Sequence, residues 1–136
     1  MVFLIDWDTG QPLYTQIRDQ VVIGIATGEI HPGDSLPSIR SLAEELAINL
    51  HTVHKAYQIL DQEGYIHLSR RDGGRVRPLT KASQEFAHAW EQRLLTVLAE
   101  ARAQGMTPQE IFNHCEQHLN SFDNSSASPN EGGISS

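Results

Sequence analysis

The sequence has a single cysteine, Cys115, and no long hydrophobic run. One cysteine excludes an internal disulfide and gives no sign of a disulfide-stabilised secreted scaffold. No apolar stretch approaches the roughly 20 residues that span a bilayer, and the first eight residues lack the basic and then apolar pattern of a signal peptide. These absences predict a cytoplasmic protein that does not contact a membrane.

Basic residues are also scarce, because 10 lysines and arginines stand against 17 acidic residues in a chain of 136, a net charge of −7. Proteins that neutralise phosphates usually carry a basic excess, so this balance alone argues against a nucleic-acid partner. The charges are unevenly distributed, however. Residues 36–79 hold six basic and five acidic side chains, whereas 1–35 and 80–136 each have a net charge of −4. A contact with phosphate is therefore expected within 36–79.

Motifs for catalysis are missing as well. The sequence has no evident nucleophile–base–acid set and no glycine-rich phosphate loop, and its length leaves little chain for a substrate cleft. The sequence predicts a protein that is not an enzyme and that needs no cofactor.

Three regions with different patterns are predicted along the chain. Residues 1–79 alternate short amphipathic segments with turns, which indicates a small domain. Residues 80–122 have the pattern of two amphipathic helices. Residues 123–136 contain one large apolar residue, Ile134, among serines, asparagines and glycines, which predicts a disordered tail.

The first region begins with the pattern of a helix-turn-helix. A helix is predicted over about 12–27, with Gly28 as its left-handed stop. Ser38 and Asn49 are predicted N-caps of two further helices, the second of which ends at Gly64. Only a few residues separate these two helices, as in a helix-turn-helix.

A β-hairpin is predicted directly after these helices. Residues 65–68 alternate like a strand, 70–74 are typical of a turn, and 75–77 are expected to return as a second strand. A helix-turn-helix followed by a hairpin is a winged helix-turn-helix, so the predicted fold class is mainly α with a small β-hairpin. The apolar run 2–5 is compatible with a short strand or with a segment anchored on the core.

The second region is predicted to form a helical dimerisation segment. Thr80 is a possible cap of a helix that ends near Gln104, and Thr107 with Glu110 fits a capping box for a second helix. Two isolated amphipathic helices do not form a core, so they are expected to pack on the winged region, on a second subunit, or on both. The residues assigned to the dimer contact are Phe86, Trp90, Leu94, Val97, Leu98, Ile111 and Leu119.

The order of motifs resembles the N-terminal domain of GntR-family bacterial transcription regulators. The resemblance covers about residues 3–77 and depends on many correctly spaced positions. These are Pro12-Leu13-Tyr14, Gln16-Ile17, Gly28, Pro32-Gly33, Leu36-Pro37-Ser38 with Arg40, Leu42-Ala43, Thr52-Val53, Ala56-Tyr57 and Glu63-Gly64-Tyr65-Ile66.

Within that family the chain looks like a member of the YtrA subfamily, because too little chain follows the winged domain for a large effector domain. The resemblance implies a homodimer that binds a two-fold symmetric DNA operator, usually as a repressor and often of a transporter operon. A small-molecule effector is possible, and its identity does not follow from the sequence. An effector is expected at the dimer interface or between that interface and the winged domain.

The third helix is expected to enter the major groove, with the wing on the backbone or in the minor groove. Leu50 stands where many relatives have arginine, and leucine cannot form a bidentate contact with guanine, so base preference does not transfer. Arg77 is also placed on the wing. The predicted DNA-binding residues are Ser38, Arg40, Asn49, Leu50, His51, Thr52, His54, Lys55, Arg70, Arg71 and Arg75.

Two alternatives stay open. Glu110, His114 and His118 recur every four residues beside Cys115 and form a weak candidate for a transition-metal site, which would make the protein a metal-responsive repressor. The acidic balance and Leu50 are also compatible with a protein-interaction module that has kept the fold and lost operator binding.

Overall fold

The computed structural model describes residues 1–70 and 73–126. It contains five helices and one hairpin, and these confirm the predicted mainly α fold class. In chain order the elements are α1 (Leu13–Thr27), α2 (Ile39–Leu46), α3 (Leu50–Gln62), β1 (Ile66–Ser69), β2 (Gly73–Val76), α4 (Gln84–Ala103) and α5 (Pro108–Ser126).

The core lies between α1, α2, α3 and the hairpin. Ile17 and Val21 of α1, Leu42 of α2 and Leu60 of α3 are fully buried there, as their 3.6-residue spacing predicts. Gly28 adopts the left-handed conformation that ends α1, with φ of 81°. These three helices form the compact body that carries the hairpin.

The N-terminal run 2–5 is a segment anchored on the core and not a strand. Phe3 is buried, and the side-chain amide of Gln20 both donates to the carbonyl of Leu4 and accepts from its N–H. Gln16 pairs with the backbone of Asp6 in the same way, at 2.8 and 2.9 Å. Two glutamines of α1 thus supply the backbone partners that a neighbouring strand would supply in a sheet.

The helix-turn-helix has the caps that its sequence predicts. Ser38 Oγ accepts from the N–H of Ser41 at 3.0 Å, and Asn49 Oδ1 accepts from the N–H of His51 at 2.8 Å. Ala47 turns the chain between the two helices in the left-handed conformation, with φ of 55°. Only three residues separate α2 from α3, so the two helices are fixed at a short turn.

The wing consists of β1 and β2 paired antiparallel, with Ile66 opposite Val76 and Ser69 opposite Gly73. The predicted turn over 70–74 extends too far, because β2 already begins at Gly73. The second edge of β2 pairs with residues 33–36: Leu36 N–H donates to Gly74 O and Gly33 N–H donates to Val76 O, both at 2.8 Å. This support from both sides explains the earlier start of the strand.

The start of α4 differs from the prediction. Ser83, and not Thr80, caps the helix, since Ser83 Oγ accepts from the N–H of Phe86 at 3.0 Å. Residues 80–83 are exposed, so this stretch gains no burial from becoming helical. The capping box of α5 is confirmed: Thr107 Oγ1 accepts from the N–H of Glu110 at 3.1 Å, and the Glu110 carboxylate accepts from Thr107 N–H at 3.3 Å.

The last helix is longer than predicted. α5 continues to Ser126, so residues 123–126 of the predicted tail are helical, and residues 127–136 lie outside the described range. A preformed helix extends at little cost, one hydrogen bond for each residue fixed, even through weak helix formers. α5 contacts α1 and the end of α4. Across the described residues, we find no helix with the length and apolarity needed to cross a membrane.

Candidate nucleic-acid interface

A groove of about 560 Å³ opens where α2, α3 and the wing meet. The N-terminal turn of α2 forms one wall, the first turns of α3 form the second, and the ends of both strands form the third. Its lining residues are Ser38, Ile39, Arg40, Leu50, His51, His54, Ser69, Arg70 and Gly73.

Two arginines give the groove its charge. Arg40 lies on α2 and Arg70 at the tip of β1, both exposed, and no acidic side chain of the described residues lines the groove. The N-terminus of α2 opens beside them, and helix N-termini favour anions. The groove is therefore electropositive in a protein whose net charge is −7.

The groove is held in shape at one junction, the backbone of Pro37 and Ser38. The hydroxyl of Tyr57, a fully buried residue of α3, donates to Pro37 O at 2.7 Å. Burial raises the pKa of Tyr57, so the hydroxyl keeps its proton and remains a donor.

Gly73 of the wing reaches the same junction from the other side. It has a φ of 77°, and a Cβ built there would lie 3.2 Å from both Pro37 O and Ser38 Cα. A glycine is required at this position by both its conformation and its neighbours. Because α3 and the wing both contact Pro37–Ser38, the three walls of the groove are fixed relative to one another.

The surface of α3 also carries exposed groups outside the groove. Lys55 projects towards α1, and its Nζ lies 4.0 Å from the ring centroid of Tyr14. This cation–π contact holds the ammonium group on the exposed face of α3, beside the groove.

Comparison with known proteins gives the family. The family described as bacterial regulatory proteins, gntR family, matches residues 13–76. YtrA from Sulfolobus acidocaldarius, a GntR-family transcription factor of known structure, is 37% identical; the match covers 86% of this chain and 96% of that one, with a TM-score of 0.53. The chain belongs to the GntR family.

Two further proteins are similar to this GntR chain. The HTH-type transcriptional repressor YtrA of Bacillus subtilis is 42% identical over 69 residues, which cover 51% of this chain and 53% of that protein. The crystal structure of a transcriptional antiterminator from Listeria monocytogenes EGD-e matches 90% of this chain and 92% of that chain with a TM-score of 0.83 at 22% identity, which shows a shared fold. The GntR chain is a YtrA-like DNA-binding transcription regulator with a winged helix-turn-helix.

The groove brings together just over half of the DNA-binding residues predicted from the sequence. These are Ser38, Arg40, Leu50, His51, His54 and Arg70. Gly73 also lines this surface but is absent from the predicted set. The Gly73-Gly74 pair in the sequence indicates a turn and does not by itself indicate a contact with DNA.

Four other predicted DNA-binding residues of the GntR chain lie outside the groove. Asn49 caps α3, Thr52 is half-buried, and Lys55 contacts Tyr14. Arg75 lies on the outer face of β2, where its Nη1 donates to Gly33 O at 2.7 Å. Arg71 lies outside the described residues.

The residues assigned to dimerisation divide into two classes. Leu94, Leu98 and Ile111 are half-buried within one chain. The other four are exposed: Phe86, Trp90, Val97 and Leu119.

The possible metal ligands lie along α5. The Glu110 carboxylate is engaged in the capping box with Thr107, and His114 and His118 are exposed. Within residues 1–70 and 73–126, no group of three or more potential ligand side chains is close enough to hold a metal ion.

Proposed function

We propose that this GntR protein is a cytoplasmic, homodimeric repressor that binds a two-fold symmetric DNA operator through the groove. The observation that supports this proposal is that Arg40 and Arg70 lie together beside the first turn of α3. Both belong to residues 36–79, which are not acidic overall, whereas the sequence before and after them has an acidic excess. Arg40 and Arg70 would bind phosphates. His51 and His54, exposed on α3, would face base edges in the major groove.

The remaining residues of the predicted set have supporting roles in this proposal. Ser38 accepts a hydrogen bond at its oxygen and can still donate its hydroxyl hydrogen to a phosphate. Leu50, which is 40% exposed, can contact a thymine methyl group. Lys55 and Arg75 would reach the flanking backbone, and Asn49 and Thr52 would place α3.

Dimerisation is proposed through α4. Phe86, Trp90, Leu94, Val97 and Leu98 lie within about 120° of the helix circumference at 100° per residue, whereas Leu95 lies outside this arc. No residue of α4 is buried against the described part of the chain. A 20-residue helix with an uncovered apolar stripe requires a partner. A second copy of the stripe would supply one. The two copies of α3 in such a dimer would read half-sites about one turn of DNA apart, about 34 Å or a little more.

The repressor role is supported by the relative in Bacillus subtilis, whose name describes a transcriptional repressor. From the resemblance to the YtrA subfamily we propose a transporter-type operon as the regulated unit. With an acidic body and few phosphate contacts, affinity would depend on both half-sites of the operator being bound at once.

The test is binding to the promoter of the protein's own operon, measured by fluorescence anisotropy against a shuffled duplex of equal length. We expect selective binding of one dimer per site and repression of a reporter driven by that promoter. Arg40→Ala should weaken both, whereas Arg102→Ala, which makes the same change in charge at the far end of α4, should leave both intact.

Two results would contradict the proposal. Equal affinity for the native and shuffled duplexes would favour the alternative of a protein-interaction module. Selective binding with activation of the reporter would exclude a repressor.

A further inference from the structure

A second opening in the molecule lies at the other end of α3, where residues 77–83 lead from the wing into α4. It consists of two adjoining cavities of about 390 and 460 Å³ that share Glu63, Tyr65 and Phe86 in their linings. We call the pair the linker cleft. Glu63 is 13 residues from Leu50, about 20 Å along the helix at 1.5 Å per residue, so the linker cleft is separate from the DNA groove.

The walls of the linker cleft are apolar and come from both parts of the molecule. Ile25 and Tyr65 belong to the winged domain, Leu79 to the linking segment and Phe86 to α4. Leu79 is 71% exposed and Phe86 43% exposed, so apolar surface is available inside the opening.

The charge of the linker cleft runs against that of the chain. Four of the ten basic residues line it, Arg18, Arg77, Lys81 and Arg93, against two acidic ones. Both of these carboxylates, from Asp19 and Glu63, are bound by Arg18 at 2.9 Å.

The remaining three cations of the linker cleft have no such partner. Among the described residues, no carboxylate is within ion-pair distance of Arg77, Lys81 or Arg93. Partial burial would lower the pKa of Arg18, but its hydrogen bonds to Glu63 and Asp19 raise it overall, so that cluster is internally neutralised. An excess of positive charge therefore remains beside the apolar walls.

From this arrangement we propose that the linker cleft binds a small organic anion with an aromatic or branched apolar body. The apolar part would lie against Tyr65 and Phe86, and the acidic group would be bound by Arg77 and Lys81. A cavity of about 390 Å³ is within the size range of small-molecule sites. Arg77, placed on the wing by sequence reasoning, lines this cleft and not the DNA groove.

Occupancy would also regulate DNA binding, a step that rests on the proposed function. The ligand would contact the winged domain and α4 at once. It would thereby fix their relative orientation, which sets the distance between the two copies of α3 in a dimer.

The site is tested with 8-anilinonaphthalene-1-sulfonate, an aromatic anion that fluoresces in apolar surroundings, titrated into the full chain. We expect one saturable site per chain. The double variant Arg77→Met/Lys81→Met should weaken binding at least tenfold. Arg102→Met and Leu95→Ala should not change it, the latter because Leu95 is an exposed apolar residue of α4 that lines neither cavity.

A neutral probe separates charge from apolarity. N-phenyl-1-naphthylamine, which lacks the sulfonate, should bind the wild type and the double variant equally. The proposal is overturned if the anion does not bind saturably, if the double variant binds it as the wild type does, or if Leu95→Ala abolishes binding.

The regulatory step has its own readout. Saturating sulfonate probe should change the affinity of the wild type for its operator and leave that of the double variant unchanged. If the probe binds but operator affinity is constant, the regulatory role is wrong while operator binding itself stands. If no operator is bound under any condition, the proposed function fails and the ligand site is judged by the fluorescence titration alone.

Discussion

Removing the side chain of Trp90 should break the proposed dimer. Trp90 is 48% exposed in the single chain, and a tryptophan has up to about 250 Å² to bury, so about 120 Å² remain for a partner to cover. At about 25 cal/mol per Å², covering that area contributes about 3 kcal/mol per copy. A symmetric dimer buries two copies, so Trp90→Ala acts twice in the same interface.

The expected change follows from that area. If a second copy of α4 covers only half of the exposed surface, the dimer loses about 3 kcal/mol in total, which raises the dimer dissociation constant about 100-fold. Sedimentation velocity over a range of protein concentrations measures this constant directly. Circular dichroism at the same concentrations shows whether the helices are retained.

Leu95→Ala is the matched control on the same helix. Leu95 is 63% exposed, more than Trp90, but it lies about 140° around α4 from Trp90 at 100° per residue. It should leave the dissociation constant within about threefold of the wild type. An unchanged constant for Trp90→Ala, or an equal loss for Leu95→Ala, would refute the assignment of the α4 stripe as the interface.

Three other substitutions test the DNA groove and its support. Arg40→Ala removes one phosphate contact per copy, so the slope of log K against log salt for operator binding should decrease by about 2 for a dimer, against no change for Arg102→Ala. Tyr57→Phe leaves a carbonyl without its donor and should lower the free energy of unfolding by about 1–3 kcal/mol near neutral pH. Burial raises the pKa of Tyr57 above its ordinary value of 10. The wild type should therefore lose stability as pH rises above 10. The phenylalanine variant, which has no hydroxyl to ionise, should not show this part of the loss when unfolding is measured with denaturant. Gly74→Ala places a Cβ 2.7 Å from Ile66 Cδ1. The resulting overpacking of the wing should lower the free energy of unfolding by about 1–3 kcal/mol, which a lower Tm would show. A Tm equal to that of the wild type would contradict the close packing of Gly74 against Ile66.

Features that depend on neighbouring residues could be predicted from the sequence. The caps at Ser38 and Asn49 and the capping box of Thr107 with Glu110 are local hydrogen bonds, and all three form as predicted. The choice between Thr80 and Ser83 as the cap of α4 could not be made locally. Each side chain can accept a capping hydrogen bond from an N–H two or three residues later, and the start of the helix depends on which residues gain burial.

Features that depend on tertiary packing could not be predicted from the sequence. The stacking of Lys55 on Tyr14 requires the packing of α3 against α1, which helical periodicity does not specify. The placement of Arg77 in the linker cleft depends on where the chain turns after β2, which the alternation of a hairpin does not reveal. The sequence shows that a glycine stands at position 73. It does not show that the backbone of Pro37 and Ser38 lies close to this glycine.

The junction at Pro37–Ser38 has a consequence for how such a regulator can change over time. Tyr57 and Gly73 hold all three walls of the groove against one short backbone segment. The proposed DNA-reading surface is therefore one structural unit, and residues 77–83 connect that unit to α4. Substitutions on the exposed face of α3 would alter which bases are read without changing half-site spacing. Changes in residues 77–83 would alter the spacing without changing the bases. Under the proposed function, operator sequence and operator geometry would therefore diverge independently.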